Sequence, residues 1–410
     1  VVLKMEAPPD LGIHFQLWQK LCCACESKDA AAMEPLSDRI ASLSQFDRAN
    51  LWGYGAPYGT TWAACFTNAT PSTLAAWQEA LLGVLQTLTD CRPPLRDMDS
   101  QLDSRLLVPF LGTVVSHAPE NPRAAMWACK CFRNFGRSPE LRGQLAGVIP
   151  SLVSALSAED KDVVAAAAAA LCNISCTEGN KRTAIERNAV PALLLALSQE
   201  KRPLAADDIV ACIGVLTTGN KEGASEVKVD GMGTLLDVLS VQHPVLVSTT
   251  VSVLGGLAMA LPSLCTGISE HALFFSRYLP QLLRSTSPDL REKALRLYLI
   301  LGETDSVIDR AFAAAGGESV LEECLNMELP VPDSGFMRMG SFMTKRSTPS
   351  GFQCFTPNCK QPLCATFSGG NCVECFPAGE ASVSRVPPAV PTRQEMVEQA
   401  LERCRSQMTE

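Results

Sequence analysis

Residues 148–156 read VIPSLVSAL, an apolar residue, a proline and then a leucine two positions further on. Variants of this pattern, with glycine sometimes replacing proline, recur five more times. They place anchor residues at Leu111, Leu152, Leu193, Leu235, Leu282 and Val320. Successive anchors are 41, 41, 42, 47 and 38 residues apart. A period of about 40–47 residues is typical of repeats of two or three helices that stack in one dimension. The pattern therefore predicts an all-α chain built from repeats.

The stretch VVAAAAAALCNISC, residues 163–176, lies inside one of these periods. Its apolar run is shorter than the roughly 18–20 residues that a membrane span requires. Polar or acidic residues precede this stretch, and the same is true of two similar segments further along the chain. We therefore predict long helices over 157–175, 204–218 and 243–259. Small side chains allow neighbouring helices to approach closely, so we interpret the alanines as core packing and neither as a spacer nor as a redox-active segment.

Composition excludes several classes of function. The chain has 410 residues, of which 47% are hydrophobic, and a formal charge of −8, whereas nucleic-acid binders carry a net basic domain. It has four histidines, none in a recognisable motif, and neither a nucleophile motif nor a phosphate loop, so we predict that it is not an enzyme. Most of its 18 cysteines lie in helical text and are expected to be reduced and buried. No signal peptide and no membrane segment are expected, which predicts a cytoplasmic or nuclear protein.

The segments AGVIPSLVSAL (146–156) and AAALCNISCTEGNKRTAIERNAVPALLLAL (168–197) resemble an armadillo repeat. They share its Gly-φ-Pro-x-Leu opening, where φ is an apolar residue, and a long third helix that ends in Leu-x-Asn-φ-Ser. The resemblance covers roughly residues 100–326 and is strongest over 138–240. It implies an all-α, armadillo-like α-solenoid of about five to six repeats.

A narrower resemblance is to the PUL domain of the phospholipase-activating-protein family, itself an armadillo variant. It rests on segments 106–121, 124–145 and 204–236. It implies an adaptor of the ubiquitin pathway whose groove holds the acidic C-terminal tail of a valosin-containing AAA ATPase. The repeats continue past the end expected of such a domain, and a cysteine-rich tail follows them.

These patterns predict five regions along the chain. They are an N-terminal helical region and cap (1–99), armadillo-like repeats (100–329), a linker rich in Gly, Pro, Ser and Met (330–352), a small cysteine-rich segment (353–377), and an amphipathic C-terminal helix (391–410) that begins near a capping Thr392 and docks onto the array.

In peptide-binding members of the armadillo family, the third helices line a concave groove. An asparagine on each helix hydrogen-bonds the backbone of an extended partner, because an amide both donates and accepts. Asn134 and Asn173 stand at this place, whereas the same offset falls on Gly214 and Gly256 in the next two repeats. The tryptophan four residues earlier, typical of nuclear-import receptors, is absent, so that class of adaptor is not predicted.

The first full repeat adds positive charge to this place. Lys130, Asn134 and Arg137 are spaced at i, i+4 and i+7, and Arg133 lies beside them, so several donors are expected on one helix face. Such a face would suit an acidic or C-terminal peptide, because guanidinium groups bind carboxylates through paired hydrogen bonds. The alternative is a solvated basic face on an end repeat. The predicted peptide-binding groove comprises Lys130, Arg133, Asn134, Arg137 and Asn173.

The tail CFTPNCKQPLCATFSGGNCVEC, residues 354–375, contains five cysteines. Cys354 with Cys359, and Cys372 with Cys375, could supply four thiolates to a tetrahedral structural zinc site. Cys364 is a fifth candidate that leaves the ligand set open. The alternative is a flexible tail that is reduced or forms disulfides.

Taken together, the sequence predicts a non-enzymatic scaffold or adaptor that binds a peptide or partner protein in its groove. Its partner is expected to be a protein presenting an extended or acidic C-terminal peptide, with no nucleic acid or membrane involved. One alternative is the ubiquitin-pathway adaptor that the PUL resemblance implies. A second alternative is a subunit of a larger complex that carries a zinc-bound module.

Overall fold

The structure is a computed structural model, and it is helical throughout its described residues, with no β-strand among them. The described ranges are 12–44, 47–48, 51, 66, 70, 74–90, 104–271, 273–304, 306–326 and 392–407. The chain divides into two compact units, residues 1–196 and 197–410. The all-α fold predicted from the repeat period is confirmed.

The helices that lie wholly in the first unit belong to an N-terminal group and to the first repeats. In chain order they are α1 (Gly12–Ser27), α2 (Ala30–Ala41), α3 (Ala76–Thr89), α4 (Ser104–Ser116), α5 (Pro122–Phe135), α6 (Pro139–Arg142), a 3-10 turn (Gly143–Val148), α7 (Ile149–Ala155), α8 (Lys161–Ile174) and α9 (Glu178–Glu186).

The next helix, α10 (Ala189–Gln199), contains the division between the units. The helices that follow are α11 (Pro203–Thr217), α12 (Lys221–Ser225), α13 (Lys228–Val238), α14 (Pro244–Ala260), a 3-10 turn (Pro262–Leu264), α15 (Cys265–Ser269), a π-helical turn (Phe274–Tyr278), α16 (Leu279–Leu283), α17 (Pro288–Thr304), α18 (Ser306–Ala314), α19 (Gly317–Asn326) and α20 (Arg393–Ser406).

The six repeat anchors lie in the core. Each is at most 5% exposed, and the first four, from Leu111 to Leu235, are fully buried. Of the prolines in the anchor motifs, Pro150 and Pro280 stand in the first turn of α7 and α16, where a missing N–H breaks no helical bond, whereas Pro109 lies inside α4. The anchors therefore share their burial, while the place of the proline varies.

The alanine run forms the middle of α8. Asp160 caps this helix by accepting hydrogen bonds from the backbone N–H groups of Asp162 and Val163. Residues 166–170 are at most 6% exposed, and α8 packs against α5 in the same unit. The interpretation of the alanines as core packing is confirmed.

The C-terminal helix α20 begins where the sequence predicts. Thr392 accepts from the N–H of Glu395, and the Glu395 carboxylate accepts from the N–H of Thr392, which completes a capping box. The helix packs against α17, α18 and α19 of its own unit. The predicted docking of this helix onto the repeats is confirmed.

Two further predictions from the sequence concern membrane-spanning segments and the cysteines. Within the described residues, no helix is long and apolar enough to cross a membrane. Of the eleven cysteines among the described residues, six are buried. The predicted region boundaries after residues 329 and 352 lie outside the described residues.

Candidate functional site

One side of α5 carries side chains that remain partly accessible. They are Arg123, Trp127, Lys130 and Arg133, which follow one another at three or four positions. This spacing places them along one face of the helix. Arg123 is occupied at the start of the row, because its guanidinium pairs with Glu79 at 3.2 Å and with Glu34 at 3.7 Å.

Trp127 and Lys130 form a contact in the middle of this row. The Lys130 ammonium nitrogen lies 4.5 Å from the centroid of the Trp127 ring, within the range of a cation–π interaction. The indole covers Gly83 of α3, where an added Cβ would lie 3.6 Å from Trp127 Cε2. The pair is therefore an aromatic shelf with a cation on it.

Burial lowers the pKa of Lys130, and the positive charge of Arg133 acts in the same direction, while Asp162 opposes them. A partly dehydrated ammonium next to a second cation gains from an added carboxylate. The shelf is thus electrostatically suited to an acidic group.

The neighbouring helix α8 carries alanines at the equivalent places. Asn134 and Asn173 stand at equivalent positions of their helices, and the same offset relates Trp127 to Ala166 and Lys130 to Ala169. Both alanines are buried, with 6% exposed, so they add almost no side-chain surface. We call the surface formed by Trp127, Lys130 and Arg133, with the edge of α8 at Ala166 and Ala169, the α5–α8 face.

Asn134 is buried, with 1% of its surface exposed. Its side-chain amide donates to the backbone carbonyl of Gln86 at 3.0 Å and to the Thr89 hydroxyl at 3.1 Å. Both acceptors belong to the last turn of α3, and the Gln86 carbonyl also accepts from the backbone N–H of Asp90 at 3.1 Å. Asn134 therefore ties α5 to the end of the preceding long helix.

Arg137 is also turned inward. Its guanidinium donates to the Asp90 carboxylate at 2.6 Å, and its side chain is 7% exposed. Burial acts to raise the pKa of Asp90, but the hydrogen bond and charge of Arg137, with Arg133 and Arg48, outweigh it and hold that pKa below its usual range. The expectation of four donors on one open helix face is corrected, because Asn134 and Arg137 bond to the segment packed behind α5.

Asn173 is half-buried at the end of α8. Its amide donates to the backbone carbonyl of Arg133 at 2.8 Å. Both predicted asparagines thus bond to carbonyls near the end of the preceding long helix. The binding role predicted for Lys130, Arg133 and Asn173 stays a prediction.

The absence of an asparagine at the later position in α14 has a steric reason. A Cβ on Gly256 would lie 2.7 Å from the hydroxyl oxygen of Thr218, the residue that follows α11. A side chain at this position would require the Thr218 side chain to move. The close approach of the two helix ends replaces the asparagine link.

A third asparagine has a similar task, although no sequence pattern singled it out. Asn180 is 4% exposed, and its amide donates to the carbonyls of Arg142 at 2.8 Å and Ile174 at 3.0 Å. The signal was its place two residues into α9, directly after the end of α8. A polar residue there can reach back to helix carbonyls that lack a partner.

The predicted zinc ligands Cys354, Cys359, Cys372 and Cys375 lie outside the described residues. Within the part of the chain that the structure describes, no group of three or more His, Cys, Asp or Glu side chains is placed to hold a metal ion.

A family model described as the Armadillo/beta-catenin-like repeat matches residues 146–176, which comprise α7, α8 and the approach to them. No curated protein matches the chain. The structure is similar to the crystal structure of an engineered protein, with a TM-score of 0.61 and 16% sequence identity. That similarity covers 77% of this chain and 74% of the other.

Two designed proteins are also similar, each over 54% of this chain and 93% of its own. The first is described as computationally designed armadillo repeat proteins for modular peptide recognition, with a TM-score of 0.47 and 18% identity. The second is a designed armadillo repeat protein in complex with peptide (KR)4, with a TM-score of 0.47 and 17% identity.

The repeat match and the similarity to the first engineered protein agree on the class of fold. The chain is an all-α, armadillo-like solenoid. An armadillo repeat is identified at residues 146–176, the stretch that contains the alanine-rich helix.

Proposed function

We propose that this chain is a non-enzymatic scaffold that binds an extended segment of a partner protein on the α5–α8 face. The observation that carries the proposal is the pair of Lys130 and Trp127, held together at 4.5 Å and left partly accessible. A cation on an aromatic shelf offers both charge and apolar contact to a peptide.

The partner segment is proposed to be acidic. Lys130 and Arg133 bring two positive charges to a chain whose net charge is −8, so the face differs locally from the rest of the molecule. A partner carboxylate would be attracted to both, while the apolar part of its side chain could lie on Trp127. Opposite local charges also speed association and favour the correct partner.

The proposal is tested by titrating a fluorescent peptide of alternating glutamate and leucine against the full chain, with anisotropy as the readout. Lys130→Glu and Trp127→Ala are each expected to weaken binding about tenfold or more, as anchor residues do. Arg182→Glu makes the same charge change on an exposed residue of α9 in the same unit, and it is the matched control.

Binding that is equally reduced by Lys130→Glu and Arg182→Glu would reflect long-range charge and would contradict a specific face. Unchanged affinity in both Lys130→Glu and Trp127→Ala would also contradict it. Arg137 is unsuited to this test, because its substitution would leave the partly buried Asp90 without its ion pair.

The finer version of the proposal is an acidic C-terminal tail, the partner that the PUL resemblance implies. A free terminal carboxylate adds one charge that a terminal amide lacks. The same peptide is therefore titrated once with a free C-terminal carboxylate and once with a C-terminal amide. If the partner is an acidic C-terminal tail, the peptide with the free carboxylate is expected to bind more tightly. Equal binding of both endings would retain an internal acidic segment as the partner.

A further inference from the structure

The C-terminal helix α20 lies in a groove formed by α17, α18 and α19. Five of its side chains are buried there, namely Met396, Val397, Ala400, Leu401 and Cys404. Ala400 and Cys404 are fully buried, so the groove closes tightly over the small residues of the helix. The segment 327–392 separates α20 from α19, so the helix reaches the groove from far along the chain.

The groove contains a site shaped for a guanidinium group. Arg403 of α20 donates to the Asp309 carboxylate at 3.2 Å and to the Leu299 carbonyl at 3.2 Å. The Tyr298 hydroxyl donates to the same carboxylate at 2.8 Å, and the Asp309 side chain is only 6% exposed.

Gly302 makes room for that guanidinium. A Cβ at this position would lie 2.5 Å from Arg403 Nη2 and from Asp309 Oδ1. Without an arginine in place, the buried Asp309 would lose its ion-pair partner, which is costly for a carboxylate in such surroundings.

Two further arginines of α20 meet acceptors along the groove. Arg405 pairs with Glu318 at 2.6 Å and with Glu322 at 2.7 Å, and Arg393 donates to the Cys324 carbonyl at 3.4 Å. The groove therefore selects a helix with a stripe of apolar and small residues and with arginines at both ends.

We propose that the groove of α17, α18 and α19 is a docking site for an arginine-bearing amphipathic helix, and that α20 is its resident occupant, which a partner helix of the same pattern can replace. The partner is identified by the pattern of α20 itself: an arginine opposite Asp309, a small residue three positions before it and another one position after it, and apolar residues on the same face.

Two general considerations and one observation favour exchange over a permanent cap. An isolated helix as short as α20 is marginal in water, so its order depends on the groove. A helix on the same chain competes at an effective concentration of about millimolar, which a free helix can match. The edge of the seam is also open to solvent, with a surface pocket of about 550 Å³ between Leu325, itself 41% exposed, and the outer side of α20.

Cys404 reports directly on whether α20 is docked. Its thiol is fully buried, and burial, together with Glu318 and Asp309, raises its pKa to about 11. The docked thiol is therefore expected to react slowly, and alkylation requires α20 to leave the groove. Cys324 of α19 is 5% exposed, and its thiol donates to the Leu283 carbonyl of α16 at 3.3 Å, so it is the internal control for unfolding.

The experiment uses the full chain, iodoacetamide and peptide mapping by mass spectrometry. The competitor is a synthetic peptide of residues 391–410 carrying Cys404→Ser, and the control peptide carries Arg403→Glu in addition. About 1 mM competitor is expected to raise the alkylation rate of Cys404 tenfold or more, in proportion to its concentration, while Cys324 remains protected.

Three results would overturn the proposal: an unchanged Cys404 rate, equal acceleration by the control peptide, or parallel acceleration at Cys324, which would mean unfolding.

The full-chain variant Gly302→Ala provides a second measurement without peptide. It is expected to displace Arg403 and speed Cys404 alkylation, whereas Gly233→Ala, where an added Cβ meets nothing within 4 Å, is not. Equal rates in the two variants would remove the guanidinium site from the mechanism.

Discussion

At the scale of single residues, asparagine amides connect successive helices of the first unit. Asn134, Asn173 and Asn180 each donate to a backbone carbonyl at or near the end of a helix. Carbonyls at helix ends have few partners inside their own helix, so they are natural acceptors for a side chain of the next helix. Asn134 and Asn173, which stand where peptide-binding armadillo proteins carry their binding asparagines, therefore also hold successive helices together.

Asn180→Ala is expected to lower the free energy of unfolding by about 1–3 kcal/mol, because it leaves the buried carbonyls of Arg142 and Ile174 without their donor. Urea denaturation measures the change. Thr183→Ala, which removes an exposed hydroxyl from the same helix, is the control and is expected to change stability by no more than about 0.5 kcal/mol. Similar losses for both variants would contradict the structural role of Asn180.

A second residue-scale prediction concerns Asp207, which is 8% exposed in α11. Burial raises its pKa, although a hydrogen bond with Thr249 and the nearby His243 act against this. The folded chain then holds a proton that the unfolded chain has released, so stability falls as the pH rises from about 4 through the folded pKa.

Asp207→Asn removes this ionisation. The variant is expected to be more stable than the wild type at pH 7, and its advantage is expected to shrink as the pH falls towards 4. Urea midpoints measured at several pH values check the prediction. A difference that stays constant with pH, or grows on acidification, would rule out ionisation of Asp207 as its cause.

At the scale of elements, the alanine-rich helix α8 combines two kinds of position. Ala168 is fully buried, whereas Ala165, less than one turn earlier, is half-buried. Ala168→Leu is expected to destabilise the chain by about 1–3 kcal/mol, because a close-packed core does not accept three extra carbons without strain. Ala165→Leu makes the same change at the more open position.

Thermal and urea unfolding compare the two leucine variants. A loss for Ala168→Leu that exceeds the loss for Ala165→Leu supports close packing of α8. If both positions accept leucine equally, the alanines do not limit the approach of the helices, and the physical reason offered for the run is wrong.

At the scale of the whole molecule, the cysteine-rich segment remains a prediction from sequence. We propose that Cys354, Cys359, Cys372 and Cys375 bind one structural zinc ion. The full chain, purified under reducing conditions, is then expected to contain about one zinc per chain by elemental analysis. Replacing Cys372 and Cys375 with serine is expected to remove it, while serine at the buried Cys212 and Cys265 is the matched control.

A zinc-free wild type under these conditions would contradict the site. If the double variant retains zinc, other cysteines must be the ligands, and Cys364 is the first candidate.

The sequence by itself determined the fold class of this protein. A period of about forty residues with an apolar anchor in each period predicts helices and repeats, and the capping pattern of Thr392 predicts the start of α20. Local patterns suffice because the side-chain period of a helix depends only on its own geometry.

Only the tertiary structure decided which polar side chains are accessible. Spacing placed Lys130, Asn134 and Arg137 close together, but Gln86 and Asp90 draw the last two inward, and neither acceptor is near them in sequence. The same holds for Arg403, whose partner Asp309 lies far earlier in the chain. A helical period indicates which residues share a side, whereas the partner that faces them depends on how distant segments pack.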